Sequence, residues 1–192
     1  MRVIAGTARG RGLRTLPGLE VRPTLDRVRQ SVFSSLGEAV RGAACLDLFA
    51  GSGAVGIEAL SRGAARAVFV ERSAGCVRRL TENLQLCEVG ERAEVLHCEW
   101  QAGIERLRRA HEGFDLVYAD PPYGRFDEAA ILAELHLLLI PGGRLLFEHP
   151  RRRALPEQVG SLRLTRVAHY GQTSITWYTR ENGRTLTHCE GG

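Results

Sequence analysis

Apolar positions recur along this chain with two periods, one of two residues and one close to four. From residue 43 onward, short apolar runs alternate with segments of helical spacing. The runs that predict strands are ACLDLFA, ARAVFVE, AEVLHC, FDLVYA and GGRLLFEH. The segments between them predict helices at about 54–63, 73–87, 100–111 and 127–138. Two later runs, LRLTRVAHY and TSITWYTR, predict a closing hairpin.

This alternation indicates the fold class. Strands that alternate with helices of this length form crossover units and a mostly parallel sheet. We therefore expect an α/β core with a seven-stranded sheet over residues 41–181, after an extension over 1–40 and before a disordered tail over 182–192. Ligands of such sheets bind at the carboxyl ends of the strands, near the point where the strand order reverses.

The extension has a pattern of its own. RVIAGTARGRGLRTLPG has two short alternating runs around a Gly/Arg-rich connection, which predicts a β-hairpin with Arg9 and Arg11 near its tip. RPTLDRVRQSVFSSLG predicts a helix that Thr24 caps and Gly37 ends. The apolar stripe of that helix is Leu25, Val28, Val32 and Leu36.

Positive charge is concentrated at the amino-terminal end. All 26 basic residues are arginine, and the net charge is +4. Residues 1–29 hold seven arginines against Glu20 and Asp26, a balance of +5 that leaves about −1 for the remainder. This asymmetry indicates a contact surface for a polyanion, although a solvated basic surface is the alternative. The candidate phosphate contacts are Arg9, Arg11, Arg22, Arg27 and Arg29.

Hydropathy and cysteine content favour a cytoplasmic protein. No apolar run approaches the ~18 residues of a membrane span, and MRVIAGTARGRG lacks the apolar core of a secretory signal. The five cysteines are scattered and form no C-x-x-C pair. We expect reduced thiols and no metal site.

The stretch LDLFAGSGAVGIEAL contains a G-x-G-x-x-G pattern, Gly51 to Gly56, with Glu71 about 20 residues further on. This matches the dinucleotide-binding fingerprint, in which the glycines approach a pyrophosphate. Asp47 argues against that ligand, since a carboxylate beside the turn repels a diphosphate. The same carboxylate attracts the ammonium of S-adenosylmethionine, whereas Glu71 suits the ribose of either cofactor. A turn-stabilising role for Asp47, and a purely conformational role for the glycines, remain alternatives.

The stretch VYADPPYGR places Asp120, Pro121, Pro122 and Tyr123 after the fourth predicted core strand. Two prolines alone predict a rigid turn. With a leading Asp and a closing Tyr, the loop also suits an exocyclic amine of a nucleobase. Asp120 and the Pro121 carbonyl can accept the two amine hydrogens, and Tyr123 offers a stacking face for the base. A base held in a helix has to be flipped out to reach this loop.

These motifs resemble a known family. DLFAGSGAVGIEALSRGA together with DPPY is similar to the amino-methyltransferases of the class I S-adenosylmethionine-dependent, Rossmann-like fold. RVIAGTARGRGL, RPTLDRVRQSVFSSL and HYGQTSITWY narrow the resemblance to the RsmD family of 16S rRNA guanine-N2 methyltransferases, over about residues 1–181. The resemblance implies S-adenosylmethionine as cofactor and 16S rRNA or the assembling 30S subunit as partner. We also expect a monomer that binds neither membrane nor metal.

The resemblance also implies residue roles. Catalytic positions are Asp120, Pro121, Pro122 and Tyr123. Cofactor-binding positions are Thr24, Asp47, Phe49, Gly51, Ser52, Gly53, Gly56, Glu71, Arg72 and Glu99. Arg22 and Pro23 join Thr24 at the edge of the pocket. Glu99, in HCEW, departs from the Asn or Asp that the family usually has there, and VFSSL replaces the more usual LFN, which weakens any role for Ser34.

Three other functions remain open from the residues alone. A DNA adenine-N6 methyltransferase shares DPPY but normally carries a separate base-recognition domain, for which 192 residues leave little room. A protein-glutamine methyltransferase typically has Asn where this chain has Asp120. A non-catalytic RNA-binding assembly factor could retain the cofactor pocket without turnover.

Overall fold

The computed structural model describes residues 1–16 and 23–181, with the backbone alone at 23–25. It contains an eight-stranded sheet with helices on both faces. The helices are α1 (Pro23–Leu36), α2 (Ala54–Ser61), α3 (Ala74–Leu86), α4 (Trp100–Arg109) and α5 (Glu128–Leu135). The strands are β1 (Ala44–Leu48), β2 (Arg66–Glu71), β3 (Ala93–His97), β4 (Phe114–Ala119), β5 (Leu139–Pro150), β6 (Gln158–Val159), β7 (Leu162–Tyr170) and β8 (Thr173–Arg180).

The strand order is β3-β2-β1-β4-β5-β8-β7-β6. The first five strands pair in parallel, and β5, β8, β7 and β6 pair antiparallel in turn. The predicted α/β class, its mostly parallel core and its seven strands are therefore confirmed. The eighth strand, β6, has only two residues at the sheet edge. It is too short to produce a periodic signal in the sequence.

Two apolar layers cover the sheet. Successive residues of β2 alternate between them, so that Phe69 packs with α1, α2 and α3 while Val70 packs with α4 and α5. Burial on both faces explains why β2 has a continuous apolar sequence. In α1 the predicted stripe is buried at Val28, Val32 and Leu36.

The amino-terminal segment differs from its prediction. Instead of a two-stranded hairpin, it forms a loop closed by one antiparallel bridge between Arg2 and Gly12. The segment is fixed to α2 by side chains, because the Glu58 carboxylate accepts hydrogen bonds from the backbone of Ile4 and Ala5 at 2.8 and 3.0 Å. The two arms of the segment still pair through backbone hydrogen bonds from Val3 to Arg11, Gly10 to Val3 and Leu13 to Met1, and contacts with α2 hold this short pairing in place. The predicted tail at 182–192 lies outside the described residues.

Candidate active site

The carboxyl ends of β1, β2, β4 and β5 meet at one edge of the sheet, and the strand order reverses between β1 and β4. Asp47 lies on β1, Glu71 ends β2, Asp120 follows β4 and Glu148 lies near the end of β5. Two cavities of about 260 and 230 Å³ open here. Phe49 and Asp120 line both. Residues that the sequence separates by a hundred positions therefore share one edge, as expected of a doubly wound sheet.

The cavities have different walls. The lining of the first cavity includes Arg29, Asp47, Gly51, Ser52, Tyr118, Asp120 and Glu148. The lining of the second cavity includes Glu71, Arg72, Glu99, Trp100, Pro121, Pro122 and Tyr123. The candidate cofactor and amine-binding side chains are thereby divided between two adjoining spaces.

Two carboxylates hold the glycine turn between β1 and α2. The Asp47 Oδ2 atom accepts a hydrogen bond from the Gly56 backbone nitrogen at 2.9 Å. The Glu71 Oε2 atom accepts one from the Gly51 nitrogen at 2.8 Å. Within the turn Phe49 has a φ of 69°, a left-handed conformation that costs energy for a residue with a side chain. The turn-stabilising role is therefore real for both acids, and the first cavity still reaches Asp47.

Two glycines of the fingerprint are required by close packing. A Cβ atom on Gly56 would lie 2.2 Å from the ring of Phe69, a β2 residue that packs against α2. A Cβ on Gly53 would lie 2.1 Å from a methyl carbon of Leu80, and Gly53 also has a φ of 79°. These contacts follow from helix–sheet packing whatever ligand the turn holds.

Burial changes the protonation of Asp47. The side chain is 4% exposed, and burial raises its pKa to about 7, opposed by the hydrogen bond from Gly56 and reinforced by the charge of Glu71. A cation in the cavity would favour the ionised form. A diphosphate would be repelled by it.

Asp120 and Glu148 form an acidic pair at the first cavity. Burial, then the charges of Glu148 and Asp47, raise the pKa of Asp120 well above its usual range. Burial also raises the pKa of Glu148, while a hydrogen bond from the Tyr118 hydroxyl at 2.5 Å opposes that rise. Like charges in one buried site favour retention of a proton while the cavity holds no cation, whereas a bound cation would favour the ionised form of both acids. No described residue donates a hydrogen bond to the Asp120 carboxylate, which leaves it available to a ligand.

The second cavity combines an acid with aromatic walls. The Glu71 Oε1 atom accepts a hydrogen bond from the Ser73 nitrogen at 2.7 Å, so the carboxylate is fixed at the end of β2. At the rim, Arg72 Nη1 lies 3.3 Å from Glu99 Oε1. Phe49 lies beside Trp100, with 6.4 Å between ring centroids. A fixed acid beside flat apolar walls suits a nucleoside, whose hydroxyls and base need those two environments.

The DPPY loop borders both cavities. Pro121 is buried, whereas Pro122 and Tyr123 are exposed. The Tyr123 hydroxyl lies 3.0 Å from the Thr173 Oγ1 atom, at the start of β8. That contact fixes the ring at the mouth of the site, where its predicted role is to stack on a base.

Four of the candidate phosphate contacts remain predictions. Arg9 and Arg27 are exposed. Arg11 is exposed too, but its guanidinium lies 2.8 Å from Glu88 Oε1. Arg22 falls outside the described residues, as does the side chain of Thr24. Arg9 and Arg27 are therefore the stronger candidates for phosphate contacts.

The structure contradicts the predicted phosphate contact of Arg29. Its side chain is 5% exposed, with Nη2 3.0 Å from Asp26 Oδ1 and Nε 3.7 Å from Glu58 Oε2. It also donates to the Arg2 carbonyl. A phosphate contact for Arg29 is wrong, because the guanidinium is buried between α1 and α2 and neutralises Glu58 there. Helical spacing placed it only near the edge of the apolar stripe.

Sequence reasoning missed two residues of the first cavity, Tyr118 and Glu148. Tyr118 lies within the strand run FDLVYA, where an aromatic residue suggests only core packing. Glu148 offered a signal, since a charged residue near the end of the apolar run GGRLLFEH is unusual in a buried strand. Its proximity to Asp120 depends on the pairing of β4 with β5.

Within residues 1–16 and 23–181, no group of three or more His, Cys, Asp or Glu side chains has the arrangement of a metal site. Over the same residues, no helix has the length and apolar character that crossing a membrane requires.

Comparison with known proteins identifies close relatives. The family model described as conserved hypothetical protein 95 matches residues 1–179. YlbH of Bacillus subtilis, provisionally named an rRNA methyltransferase, is 37% identical over 94% of this chain and 99% of its own. Ribosomal RNA small subunit methyltransferase D of Escherichia coli K12 is 34% identical over 94% of this chain and 90% of its own.

Solved structures show the same similarity to methyltransferases. The provisionally named methyltransferase yhhF of Escherichia coli superposes with a TM-score of 0.82 at 33% identity, over 94% of this chain and 98% of its own. An RNA methyltransferase of Salinibacter ruber in complex with S-adenosyl-L-homocysteine has a TM-score of 0.62 at 14% identity, over 85% of this chain and 95% of its own, and supports the fold alone. The predicted class I methyltransferase fold is confirmed. The chain belongs to the RsmD/YlbH family of methyltransferases, the family described as conserved hypothetical protein 95.

Proposed function

We propose that this protein transfers a methyl group from S-adenosylmethionine to the exocyclic N2 amine of a guanine in 16S rRNA. The observation that carries the proposal is the Asp120 carboxylate, buried beside a second acid and free of hydrogen bonds from the described residues. The name of the Escherichia coli relative supports a small-subunit rRNA substrate. The N2 position rests on the resemblance to the RsmD family.

The first cavity fits a cationic cofactor better than a diphosphate. Its acids are Asp47, Asp120 and Glu148. Its two arginines are already neutralised, Arg29 by Asp26 and Glu58, and Arg79 by Glu82 at 2.8 Å. The cavity therefore offers negative charge to a ligand, and it suits the ammonium and sulfonium of S-adenosylmethionine.

The walls suggest where each part of the cofactor is held. Asp47 binds the ammonium, and Glu71 binds the ribose hydroxyls in the second cavity. Phe49 and Pro121 flank the adenine, and Glu99 with its partner Arg72 lies at the rim. When bound, S-adenosylmethionine supplies a methyl group on a sulfonium, which leaves as a neutral thioether.

Asp120 and the Pro121 carbonyl prepare the amine. The nitrogen lone pair is conjugated into the purine ring, so the free amine is a weak nucleophile. By accepting both amine hydrogens, the two oxygens favour a tetrahedral nitrogen and orient its lone pair along the line of transfer. The bound cofactor would supply its methyl group to this lone pair and be released as the thioether, and the ionised Asp120 would take the proton that the nitrogen gives up. Tyr123 stacks on the flipped base.

The amino-terminal extension supplies phosphate contacts. Residues 1–40 carry the excess positive charge, and Arg9 and Arg27 are exposed there. Val3 and Leu13 are buried in the same apolar layer as α2, so the extension is held against the core. We propose that it positions the RNA backbone while the DPPY loop receives the base.

The test is methyl transfer from labelled cofactor to three substrates: unmodified 30S particles, naked 16S RNA and duplex DNA. The expected result is N2-methylguanine in 30S particles or 16S RNA, mapped by mass spectrometry. Label that appears only in DNA, at adenine, would overturn the proposal. Absence of turnover on all three, with RNA binding intact, would favour the assembly-factor alternative.

A further inference from the structure

Glu148 is a buried acid to which the proposed methyl transfer gives no contact with the substrate and no role beyond its charge. It is 4% exposed and lines the first cavity beside Asp120. A buried carboxylate is costly unless its oxygens are hydrogen-bonded. Among the described residues, its side chain has one donor, the Tyr118 hydroxyl at Oε2. The Oε1 atom accepts no hydrogen bond from them, so the carboxylate has an unused acceptor at the cavity.

Tyr118 orients this carboxylate. Burial, then the charges of Glu148 and Asp120, raise the pKa of the Tyr118 phenol well above its usual range. The hydroxyl therefore stays protonated and can only donate to Glu148 in this pair. Adjacent β4 and β5 hold the two residues in register, with Tyr118 paired to Leu146. Both residues lie on strands, which keeps the position of Oε1 well defined.

Two acceptors side by side match one nucleobase edge. Guanine presents the N2 amine next to the N1–H group, so its Watson–Crick edge carries adjacent donors. Adenine and cytosine present an amine next to an unprotonated ring nitrogen. With the amine on Asp120, an acceptor on Glu148 would bond the N1–H of guanine, whereas it would face a lone pair in the other two bases. Discrimination of this kind uses repulsion as well as attraction.

We infer that Glu148, oriented by Tyr118, selects guanine by accepting its N1–H group through Oε1. The inference rests on the proposed function, since it concerns which base Asp120 receives. Glu148 contacts the base but takes no proton from the reacting amine. It is therefore a specificity-determining residue of the same site.

The test compares guanine with 2-aminopurine at the methylated position of the RNA. 2-Aminopurine keeps the amine on C2 but has a lone pair at N1. Wild-type protein is expected to favour guanine by at least about tenfold in kcat/KM, the effect of one mismatched buried hydrogen bond. Glu148→Gln places an amide that can donate to that lone pair. In this variant the guanine to 2-aminopurine ratio should fall by about tenfold.

The ratio between variants removes the intrinsic reactivity of the two amines, because the same two substrates are compared each time. Glu128→Gln is the matched control. Glu128 is also a buried glutamate, 9% exposed, and it pairs with Arg153 at 3.1 Å outside the residues that line the two cavities. In Glu128→Gln the guanine to 2-aminopurine ratio should equal that of the wild type.

Equal rates on guanine and 2-aminopurine with wild-type protein would overturn the inference without any variant. An unchanged ratio in Glu148→Gln would overturn it as well. If that variant does not fold, Tyr118→Phe tests the same point, with an expected fall in the ratio of about threefold; no fall would overturn the inference. Failure of wild-type protein to methylate guanine at all is a different result, and it would overturn the proposed function.

Discussion

The Oδ2 atom of Asp47 lies 2.9 Å from the backbone nitrogen of Gly56, across the full length of the glycine turn. One carboxylate therefore closes the turn from the strand side while it lines the cavity at the sheet edge. Its charge, rather than its shape, distinguishes a site for a cationic cofactor from one for a diphosphate. Removing the charge while keeping the shape separates these two roles.

Asp47→Asn should weaken S-adenosylmethionine binding by about 10- to 100-fold, because the amide keeps an acceptor for Gly56 but loses the charge that pairs with the ammonium. Isothermal titration calorimetry measures the effect. 5′-Methylthioadenosine, which lacks the amino-acid group, is the matched ligand and should bind both proteins equally. Equal weakening of both ligands would show that the substitution had damaged the turn.

The raised pKa of Asp47, about 7, predicts two pH trends of opposite sign. Between about pH 4 and 7 the native state keeps a proton that the unfolded chain has lost, so this group's contribution to the free energy of unfolding falls as pH rises. Affinity for the cationic cofactor should rise over about pH 6 to 8, since ionised Asp47 binds it. Both trends should be smaller in Asp47→Asn, as measured by denaturation and calorimetry across pH. Identical profiles in the two proteins would contradict the assignment.

Asp120→Ala should lower kcat by about 1,000-fold or more while cofactor affinity changes by less than about tenfold, because the carboxylate serves the amine. Asp127→Ala is a control in the same loop, since Asp127 is exposed and caps α5 through the Ala129 nitrogen. It should leave kcat within about threefold of the wild type. Single-turnover assays with labelled cofactor give both values. A parallel loss in the two variants would indicate a disturbed loop.

Arg29→Met should destabilise the protein by about 3–5 kcal/mol, because it leaves the fully buried Glu58 without one of its cationic partners. Arg62, 2.7 Å from Glu58 Oε1, remains as the other partner and can reduce the loss. Urea denaturation measures the change. Arg41→Met, at an exposed pair with Glu38, should cost less than about 1 kcal/mol. Similar values for the two variants would refute the buried role.

Replacing Arg9 and Arg27 by alanine should weaken RNA binding and lower the slope of log affinity against log salt by about one for each phosphate that is no longer neutralised. Cofactor affinity should not change. Arg109→Ala on α4 is the control, because Arg109 is exposed and pairs with Glu105 on its own helix. Filter binding over a range of salt concentrations gives the slopes. An unaltered slope in the double variant would place the RNA elsewhere.

The sequence by itself determined the fold class and the position of the strand ends. Apolar periodicity depends on local geometry, so the runs for β4, β7 and β8 matched the observed strands to the residue. The glycine turn and the DPPY loop were visible for the same reason, because each motif is contiguous. Asp47, Glu71 and Asp120 could be placed at one edge once the sheet was taken as parallel.

Only the tertiary structure decided which charged groups are buried together. Arg29 looked like part of a basic surface until packing of α1 on α2 placed it against Glu58. Glu148 looked like an isolated charge in a strand until pairing of β5 with β4 brought it to Tyr118 and Asp120. Burial and pairing across distant segments depend on the whole sheet, and no local pattern encodes them. The glycine and proline motifs show where in the sequence the site lies, whereas contacts between strands decide which charged side chains meet there.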